Sequence, residues 1–197
     1  MAKQELQFWF EFASTYSYLS VMRIQDMAEE AGVTVSWHPF WLGPIFKSQG
    51  WDSSPFNLYP VKGRYMWRDM ERLCGARGLP LVPPEPFPQN SVLAARTALL
   101  ALRDPAGPDF CRAVYAAEFG EGRTISDPDL IRGLLEQCGL SPALVDEAGT
   151  DPAKAALKDK VTEAMQLGIF GAPSFIVGDE LFWGDDRLEQ AISYAEG

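Results

Sequence analysis

The chain has few of the residues that build disulfide frameworks and metal sites. Among its 197 residues are three cysteines, Cys74, Cys111 and Cys138, and one histidine, His38. The cysteines are odd in number, widely spaced and never arranged as C-x-x-C, which argues against a disulfide scaffold or a zinc site and is typical of a reducing compartment. We therefore expect a cytoplasmic protein without a bound metal, in which His38 is a packed or hydrogen-bonded residue rather than a base.

Long apolar runs and an excess of positive charge are also lacking. No stretch approaches the eighteen or so apolar residues of a membrane span, and the first residues, MAKQELQFWFEF, have no basic region followed by an apolar run. The 27 Asp and Glu residues outnumber the 17 Lys and Arg residues, and the formal net charge is -10 at pH 7. Because such a surface repels phosphates and anionic headgroups, we expect neither a nucleic acid nor a membrane as partner.

The composition that is present, 47% hydrophobic and 22% charged residues, is that of a folded, soluble domain. Near the N-terminus, the pattern predicts a strand over 6–12, a helix over 16–31 and a second strand over 33–40. The stretch 41–59 is dense in Gly, Pro, Ser and Asn, which predicts a long ordered loop, and such loops usually serve function. Helical patterns then follow at 61–77, 91–103, 108–119, 128–138, 142–148 and 152–167.

The pattern changes again after Gly168. Two short apolar runs separated by Gly178-Asp179 predict a β-hairpin, and a last helix covers 185–195. The order β-α-β, helices, β-β-α predicts an α/β protein with a thioredoxin-like fold and an inserted all-helical domain. We expect the thioredoxin-like domain in residues 1–42 and 168–197, and the inserted loop and helical domain in residues 43–167.

Ser14 lies where the first strand ends and the first helix begins, in the sequence FASTYSYLS. Two interpretations stay open. At such a corner the unpaired N–H groups and the positive end of the helix stabilise an anion or a thiolate, and a serine hydroxyl adds a donor. Alternatively, Ser14 only caps the helix, as serine frequently does.

Gly171-Ala172-Pro173 comes directly before the third predicted strand, where a proline is tolerated without breaking the ladder. Nothing local indicates that the bond to Pro173 is cis. If it were, the backbone N–H and C=O of Ala172 would be free to pair with an extended peptide.

Four segments together resemble a known family. FWFEFASTYSYLS and GIFGAPSFIVGDELFWGDDRLEQ are similar to the two signatures of the 2-hydroxychromene-2-carboxylate isomerase family, a branch of the DsbA-like thioredoxin superfamily next to kappa-class glutathione transferases. PVKGRYMWRDMER and FPQNS, which lie between them, also look like that family. The resemblance covers nearly the whole chain.

This resemblance implies a set of glutathione contacts. Ser14 would hold and activate the sulfur of glutathione, and the Ala172-Pro173 bond would be the family's cis-proline bond, whose first residue pairs with the cysteinyl part. Asp185 and Asp186 match the pair that meets the γ-glutamyl end, where a carboxylate suits the α-ammonium.

At the glycyl end, Lys62 matches a lysine that contacts the tripeptide in relatives. Two positions depart from the family's pattern. Thr15 stands where most relatives have a proline, which loosens the first helical turn. Ser53 stands where many relatives have an asparagine, so either Ser53 or the nearby Asn57 could make that contact.

The second substrate is expected to contact Tyr16, Trp51 and Asn90. Four aromatic side chains could line the pocket of this substrate, namely Trp51, Phe56, Tyr59 and Phe87. Such aromatic clusters are also typical of a protein core. Asn90, in FPQNS, matches a polar position near the second substrate in relatives, and its alternative is to cap a helix.

The resemblance predicts a glutathione-dependent isomerase that acts on a 2-hydroxychromene-2-carboxylate-like acid from aromatic degradation, with glutathione as an unconsumed cofactor and a homodimer as the assembly. A kappa-like glutathione transferase that conjugates electrophiles is the alternative. Disulfide oxidoreduction is disfavoured because a hydroxyl at Ser14 cannot form a disulfide. A non-catalytic protein that binds peptides through the proline groove is a further alternative.

Overall fold

The computed structural model describes residues 4–197, with a four-stranded sheet at its centre in the order β2-β1-β3-β4. The strands are β1 (Leu6–Phe10), β2 (Val35–Pro39), β3 (Ser174–Val177) and β4 (Glu180–Trp183). β1 runs parallel to β2 and antiparallel to β3, and β3 and β4 form an antiparallel hairpin. The first and the last parts of the chain therefore share one sheet, with β1 in its interior.

The helices fall into groups set by the strands. Between β1 and β2 lie α1 (Thr15–Val21) and α2 (Ile24–Ala31). Between β2 and β3 lie α3 (Gly43–Ser48), α4 (Pro55–Leu58), α5 (Pro60–Arg77), α6 (Val92–Ala101), α7 (Gly107–Tyr115), α8 (Pro128–Gln137), α9 (Leu144–Glu147) and α10 (Asp151–Gln166). The chain ends with α11 (Leu188–Glu196). This order confirms the thioredoxin-like fold with a helical insertion, while the domain boundaries near residues 42 and 168 stay predictions.

The predicted helix over 16–31 is wrong in one respect, because the structure divides it into α1 and α2. Arg23 has φ -137° and ψ -18°, which is outside the helical region, and its guanidinium donates to both Asp185 and Glu189. The end of α2 is as predicted: Gly32 has φ 63°, a left-handed conformation that glycine adopts at little cost.

Two further segments differ from the expected patterns. The predicted loop over 41–59 contains the short helices α3 and α4, and each of them has a proline in its first turn, where the missing N–H costs no hydrogen bond. The predicted helix over 108–119 ends as α7 and continues as a π-helical turn, Ala116–Gly120. A sequence window does not distinguish these short or widened turns from loop and regular helix.

The alternation of side chains along β1 builds a core on both faces of the sheet. Phe8 and Phe10 pack in the larger cluster with residues of α1, α7 and α11, whereas Trp9 points to the other face. There Trp9 packs with Val161 and Ala164 of α10. The inserted helices thus cover part of the sheet itself. Burying each such large side chain contributes roughly 1.5–3 kcal/mol of transfer free energy.

None of the helices in residues 4–197 combines the length and the apolar character that crossing a bilayer requires.

Candidate functional site

A cavity of about 740 Å³ lies where the C-terminal end of β1 meets the segment around α3 and α4 and the loop before β3. Its wall is largely aromatic and includes Trp41, Trp51, Phe56, Phe87, Phe170 and Trp183. Among the described residues that line it, Lys62 carries the only positive charge. Such a concave apolar space with a few convergent polar groups is the usual form of a small-molecule site.

Ser14 lines this cavity and also caps α1. Its backbone is extended, with φ -96° and ψ 115°, and its Oγ accepts a hydrogen bond from the Ser17 N–H at 3.3 Å. The same Oγ donates its hydrogen to the carbonyl oxygen of Ala172 at 3.0 Å. Ser14 therefore caps the helix and also faces the cavity, while its role in stabilising an anion or a thiolate stays a prediction.

The Ala172-Pro173 bond, opposite Ser14, is cis. The Pro173 carbonyl accepts from the Gly184 N–H at 2.9 Å, which fixes this loop to the end of β4. Ala172 also lines the cavity. The two chain segments that carried the sequence resemblance at either end of the protein thus meet at the Ser14–Ala172 hydrogen bond.

The polar residues expected to contact the glycyl end of glutathione divide into those that line the cavity and one that does not. Ser53 and Lys62 line it, and the Lys62 ammonium lies 4.8 Å from the centre of the Tyr59 ring. Asn57 is not in the lining: its Nδ2 donates to Ser53 Oγ and to the Phe87 carbonyl, both at 3.2 Å. Between the two alternatives for the missing asparagine, Ser53 is the residue with access to the cavity, and Asn57 holds it in place.

Of the predicted substrate contacts, Tyr16 and Trp51 line the cavity and Asn90 does not. The Tyr16 hydroxyl donates to the carboxylate of Asp69 at 3.0 Å, which fixes the ring at the wall. Asn90 Oδ1 accepts from the Val92 N–H at 3.1 Å, at the start of α6, although the N-cap position of that helix is Ser91.

Asp185 and Asp186 lie outside the lining of the cavity, and their contact with the γ-glutamyl end of glutathione stays a prediction. Asp185 is only 4% exposed, and its carboxylate accepts from Ser20 Oγ at 2.9 Å, Arg23 at 3.1 Å and Arg77 at 2.8 Å. Both of its oxygens are therefore engaged in hydrogen bonds within the protein. Asp186 is exposed, and its partner in the structure is the adjacent Arg187 at 3.1 Å.

The other titratable side chains that attract attention in the sequence are remote from this cavity. His38 stacks on Trp9 with ring centres 4.6 Å apart, between the Ser36 hydroxyl and the Lys160 ammonium. Burial, aided by the Lys160 charge, lowers the pKa of His38 to about 4, so it is a neutral, packed residue. The three cysteines are free thiols, and none belongs to the lining. Within residues 4–197, no three His, Cys, Asp or Glu side chains gather as metal ligands.

Sequence reasoning missed several lining residues, of which Glu11 is the most unusual chemically. It is 4% exposed and follows directly after β1, in FWFEF. A lone carboxylate among four aromatic residues was the signal that could have found it, because a buried charge requires specific partners. The aromatic residues Trp41, Phe170 and Trp183 had no comparable signal in a sequence rich in aromatics.

Comparison with known proteins identifies the family to which this fold belongs. The model of the DSBA-like thioredoxin domain matches residues 5–194. The chain belongs to this DsbA-like thioredoxin family and, within it, to the branch of the 2-hydroxychromene-2-carboxylate isomerases.

Individual relatives support that assignment. The chain is 32% identical over 191 residues to 2-hydroxychromene-2-carboxylate isomerase of Sphingobium xenophagum, which covers 96% of each chain. A solved structure of a 2-hydroxychromene-2-carboxylate isomerase superposes with a TM-score of 0.86 at 26% identity, covering 96% of this chain and 93% of that one. Glutathione S-transferase kappa 1 of Caenorhabditis elegans is 25% identical over 199 residues, covering 93% of this chain and 87% of the relative.

Proposed function

We propose that the protein is a glutathione-dependent isomerase of a 2-hydroxychromene-2-carboxylate-like aromatic acid. The observation that carries this proposal is the Ser14 hydroxyl at the cavity wall, 3.0 Å from the carbonyl of Ala172 in a cis-proline loop. The names of the relatives support isomerisation as the reaction, and the kappa-class relative supports glutathione as the cofactor.

The residues around the cavity suit glutathione in their chemistry. The Ser14 hydroxyl is a donor that can turn from the Ala172 carbonyl towards a sulfur anion, since its hydrogen rotates about the Cβ–Oγ bond. Ala172 offers backbone groups to an extended peptide, and the Lys62 ammonium is a partner for a carboxylate. Asp186 is the better candidate for the α-ammonium, because it is exposed whereas Asp185 is buried and bound to Arg23 and Arg77.

Glutathione would supply a nucleophilic sulfur that forms and then releases a bond to the unsaturated acid, and it would be recovered unchanged. Ser14 would hold that sulfur and, having no thiol, could not be trapped with it as a disulfide. Tyr16, Trp51, Phe56 and Phe87 provide flat apolar surface for an aromatic substrate. Their apolar surface would also keep water away from the reacting atoms.

Turnover with two substrates distinguishes this reaction from that of a kappa-like glutathione transferase, the second candidate, which the Caenorhabditis elegans relative favours. The protein is incubated with glutathione and either a hydroxychromene-carboxylate or a chlorinated aromatic acceptor. We expect the first acid to isomerise while the glutathione concentration stays constant. If glutathione were consumed with the chlorinated acceptor and the hydroxychromene-carboxylate did not isomerise, the protein would be a transferase and not an isomerase.

A peptide-binding protein without catalysis predicts a different result. Glutathione that binds only the native state raises the melting temperature, and at about 100 times its dissociation constant it stabilises by about 2.7 kcal/mol. A melting temperature that does not respond to glutathione would favour the peptide-binding alternative. We further propose that the protein is cytoplasmic and a homodimer, in keeping with its three free thiols and with the family resemblance. Light scattering tests the dimer.

A further inference from the structure

Glu11 presents a buried carboxylate to the cavity that neither the resemblance nor the proposed function uses. Its Oε2 accepts from the Leu42 N–H at 2.8 Å, and its Oε1 accepts from the Ala13 N–H at 3.3 Å. Ala13, Leu42 and Ser91 all line the cavity, as Ser14 does, and the Ser91 hydroxyl lowers the pKa of Glu11 in the sense opposite to burial. Oε1 has the longer bond and is therefore the oxygen more available to a ligand.

A second buried carboxyl group lies near Glu11. Glu118 is in the π-helical turn, fully buried, and neither of its oxygens has a hydrogen-bond partner in residues 4–197. Burial and the charge of Glu11 raise the pKa of Glu118 well above its usual range. Since Glu118 lacks donors and Glu11 has three, the pair holds at most one negative charge, and that charge resides on Glu11.

We propose that Glu11 is the catalytic proton acceptor for the thiol of glutathione, with Oε1 receiving the proton directly or through one water. The S–H bond breaks, an O–H bond forms on Oε1, and the electron pair of the S–H bond stays on the sulfur beside Ser14. Atoms and charge balance, because one negative charge moves from the carboxylate to the sulfur and the cavity gains none.

The surroundings of Glu11 favour this exchange. Two adjacent anions in a poorly solvated cavity repel each other, so an ionised Glu11 would oppose a thiolate, whereas a protonated one does not. Burial raises the pKa of Glu11 towards that of a thiol, and the hydrogen bonds from Ser91, Leu42 and Ala13 partly oppose the rise. A smaller difference between the two pKa values makes the proton transfer easier.

The other titratable groups around Glu11 do not compete for this role. The Tyr115 hydroxyl donates to the Glu11 carbonyl at 2.6 Å, and burial raises the pKa of Tyr115 well above its usual range, so it stays neutral. Glu118 lies near Glu11 in the π-helical turn and is held neutral by burial. The other charged side chains that line the cavity are Asp52, from the segment before α4, and Lys62, from α5.

Calorimetric binding of glutathione to the whole protein, in two buffers with different ionisation enthalpies, measures the protons released on binding. We expect the wild type to release almost none near pH 7, because the thiol proton stays on Glu11, while the ultraviolet absorbance of the thiolate appears. In Glu11→Gln the thiolate absorbance should instead rise with pH, and each thiolate formed should release about one proton to the buffer.

Glu118→Gln is the matched control, because it removes the other buried carboxyl group without changing the charge at the cavity. Its proton release and thiolate absorbance should equal those of the wild type. The wild-type measurement tests the proposal even if Glu11→Gln does not fold. Because the inference rests on the proposed function, failure of glutathione to bind would overturn both, whereas binding with thiolate formation and one released proton in the wild type would overturn only the role of Glu11.

Discussion

The hydroxyl of Ser14 contributes both to the fold and to the cavity wall. It accepts a hydrogen bond from the Ser17 N–H and donates one to the Ala172 carbonyl. Loss of function in a Ser14 variant could therefore come from the helix cap or from the site. Another capping residue separates the two effects. Asp127 is the N-cap of α8, its side chain accepts from the Asp129 N–H at 3.0 Å, and it is exposed and outside the cavity lining.

We expect Ser14→Ala to abolish isomerisation while the protein stays folded, with a loss of about 1 kcal/mol in the free energy of unfolding from the missing cap. Asp127→Ala should lose a similar amount of stability, from the cap of α8, and keep wild-type turnover. Urea unfolding and a glutathione-dependent rate measure the two quantities. If Ser14→Ala retained turnover, its hydroxyl would have no role beyond capping.

Asp185 and Asp186 are neighbours with opposite environments, and substitution to asparagine should separate their roles. Asp185→Asn leaves the Arg23 and Arg77 guanidinium groups without their shared carboxylate, so we expect the free energy of unfolding to fall by about 2 kcal/mol. Asp186→Asn, at an exposed side chain, should change it by less than about 0.5 kcal/mol. Chemical denaturation checks both values.

The same pair tests the contact at the γ-glutamyl end. Asp186→Asn should weaken glutathione binding, whereas Asp185→Asn should act through stability. Equal loss of glutathione affinity in both variants, at unchanged stability, would argue that the buried cluster opens on binding and that Asp185 takes part.

The helices α4 and α5 approach each other so closely at Gly63 that a side chain there would displace a residue of the cavity wall. A Cβ atom at Gly63 would lie 2.4 Å from the backbone oxygen of Phe56, a lining residue. At Gly75, in the same helix, such a Cβ would meet no atom of residues 4–197 within 4 Å other than the backbone of its own helix. The two positions therefore give opposite expectations for the same substitution.

Gly63→Ala should destabilise the protein and weaken the binding of an aromatic substrate, because α4 must move away from α5. Gly75→Ala should raise the free energy of unfolding by up to about 1 kcal/mol, since alanine is the better helix former, and leave binding unchanged. Thermal unfolding and a KM measurement test both variants. A Gly63→Ala protein as stable as the wild type would show that α4 adapts without cost.

Local pattern was sufficient for most elements but not for contacts between distant parts of the chain. The alternation in β1 and the stop at Gly32 predicted a strand and a helix end, and both are present. The break after α1 depends on Arg23 meeting Asp185, 162 positions later, and no window along the chain contains both. The sequence did not indicate a role for Glu11 for the same reason, because its hydrogen-bond donor Leu42 lies 31 positions away.

The site was predicted in part, by resemblance more than by physical chemistry. Ser14 has a mechanism that a sequence can indicate, because a polar residue at a strand-to-helix corner has unpaired N–H groups beside it. The cis bond at Pro173 has no local signal, and its geometry is observed only in the folded chain. Asn57 and Asn90 were placed on the correct segments, but their side chains bind backbone and neighbours instead of facing the cavity.

At the scale of the whole molecule, the cavity lies between parts of the chain that are far apart in sequence. Its wall combines Ser14 from the β1–α1 corner, Lys62 from α5 and Ala172 from the loop before β3. A ligand that spans these three would contact the sheet and the inserted helices together. Its binding energy would then stabilise their arrangement as well as the site, which is why the response of unfolding to glutathione is informative.

A crystal structure of the protein grown with glutathione would show where the sulfur lies relative to Ser14. We predict that the sulfur lies within hydrogen-bond distance of Ser14 Oγ and that the cysteinyl backbone pairs with Ala172. Ordered glutathione whose sulfur points away from Ser14, or which occupies another part of the molecule, would contradict this account.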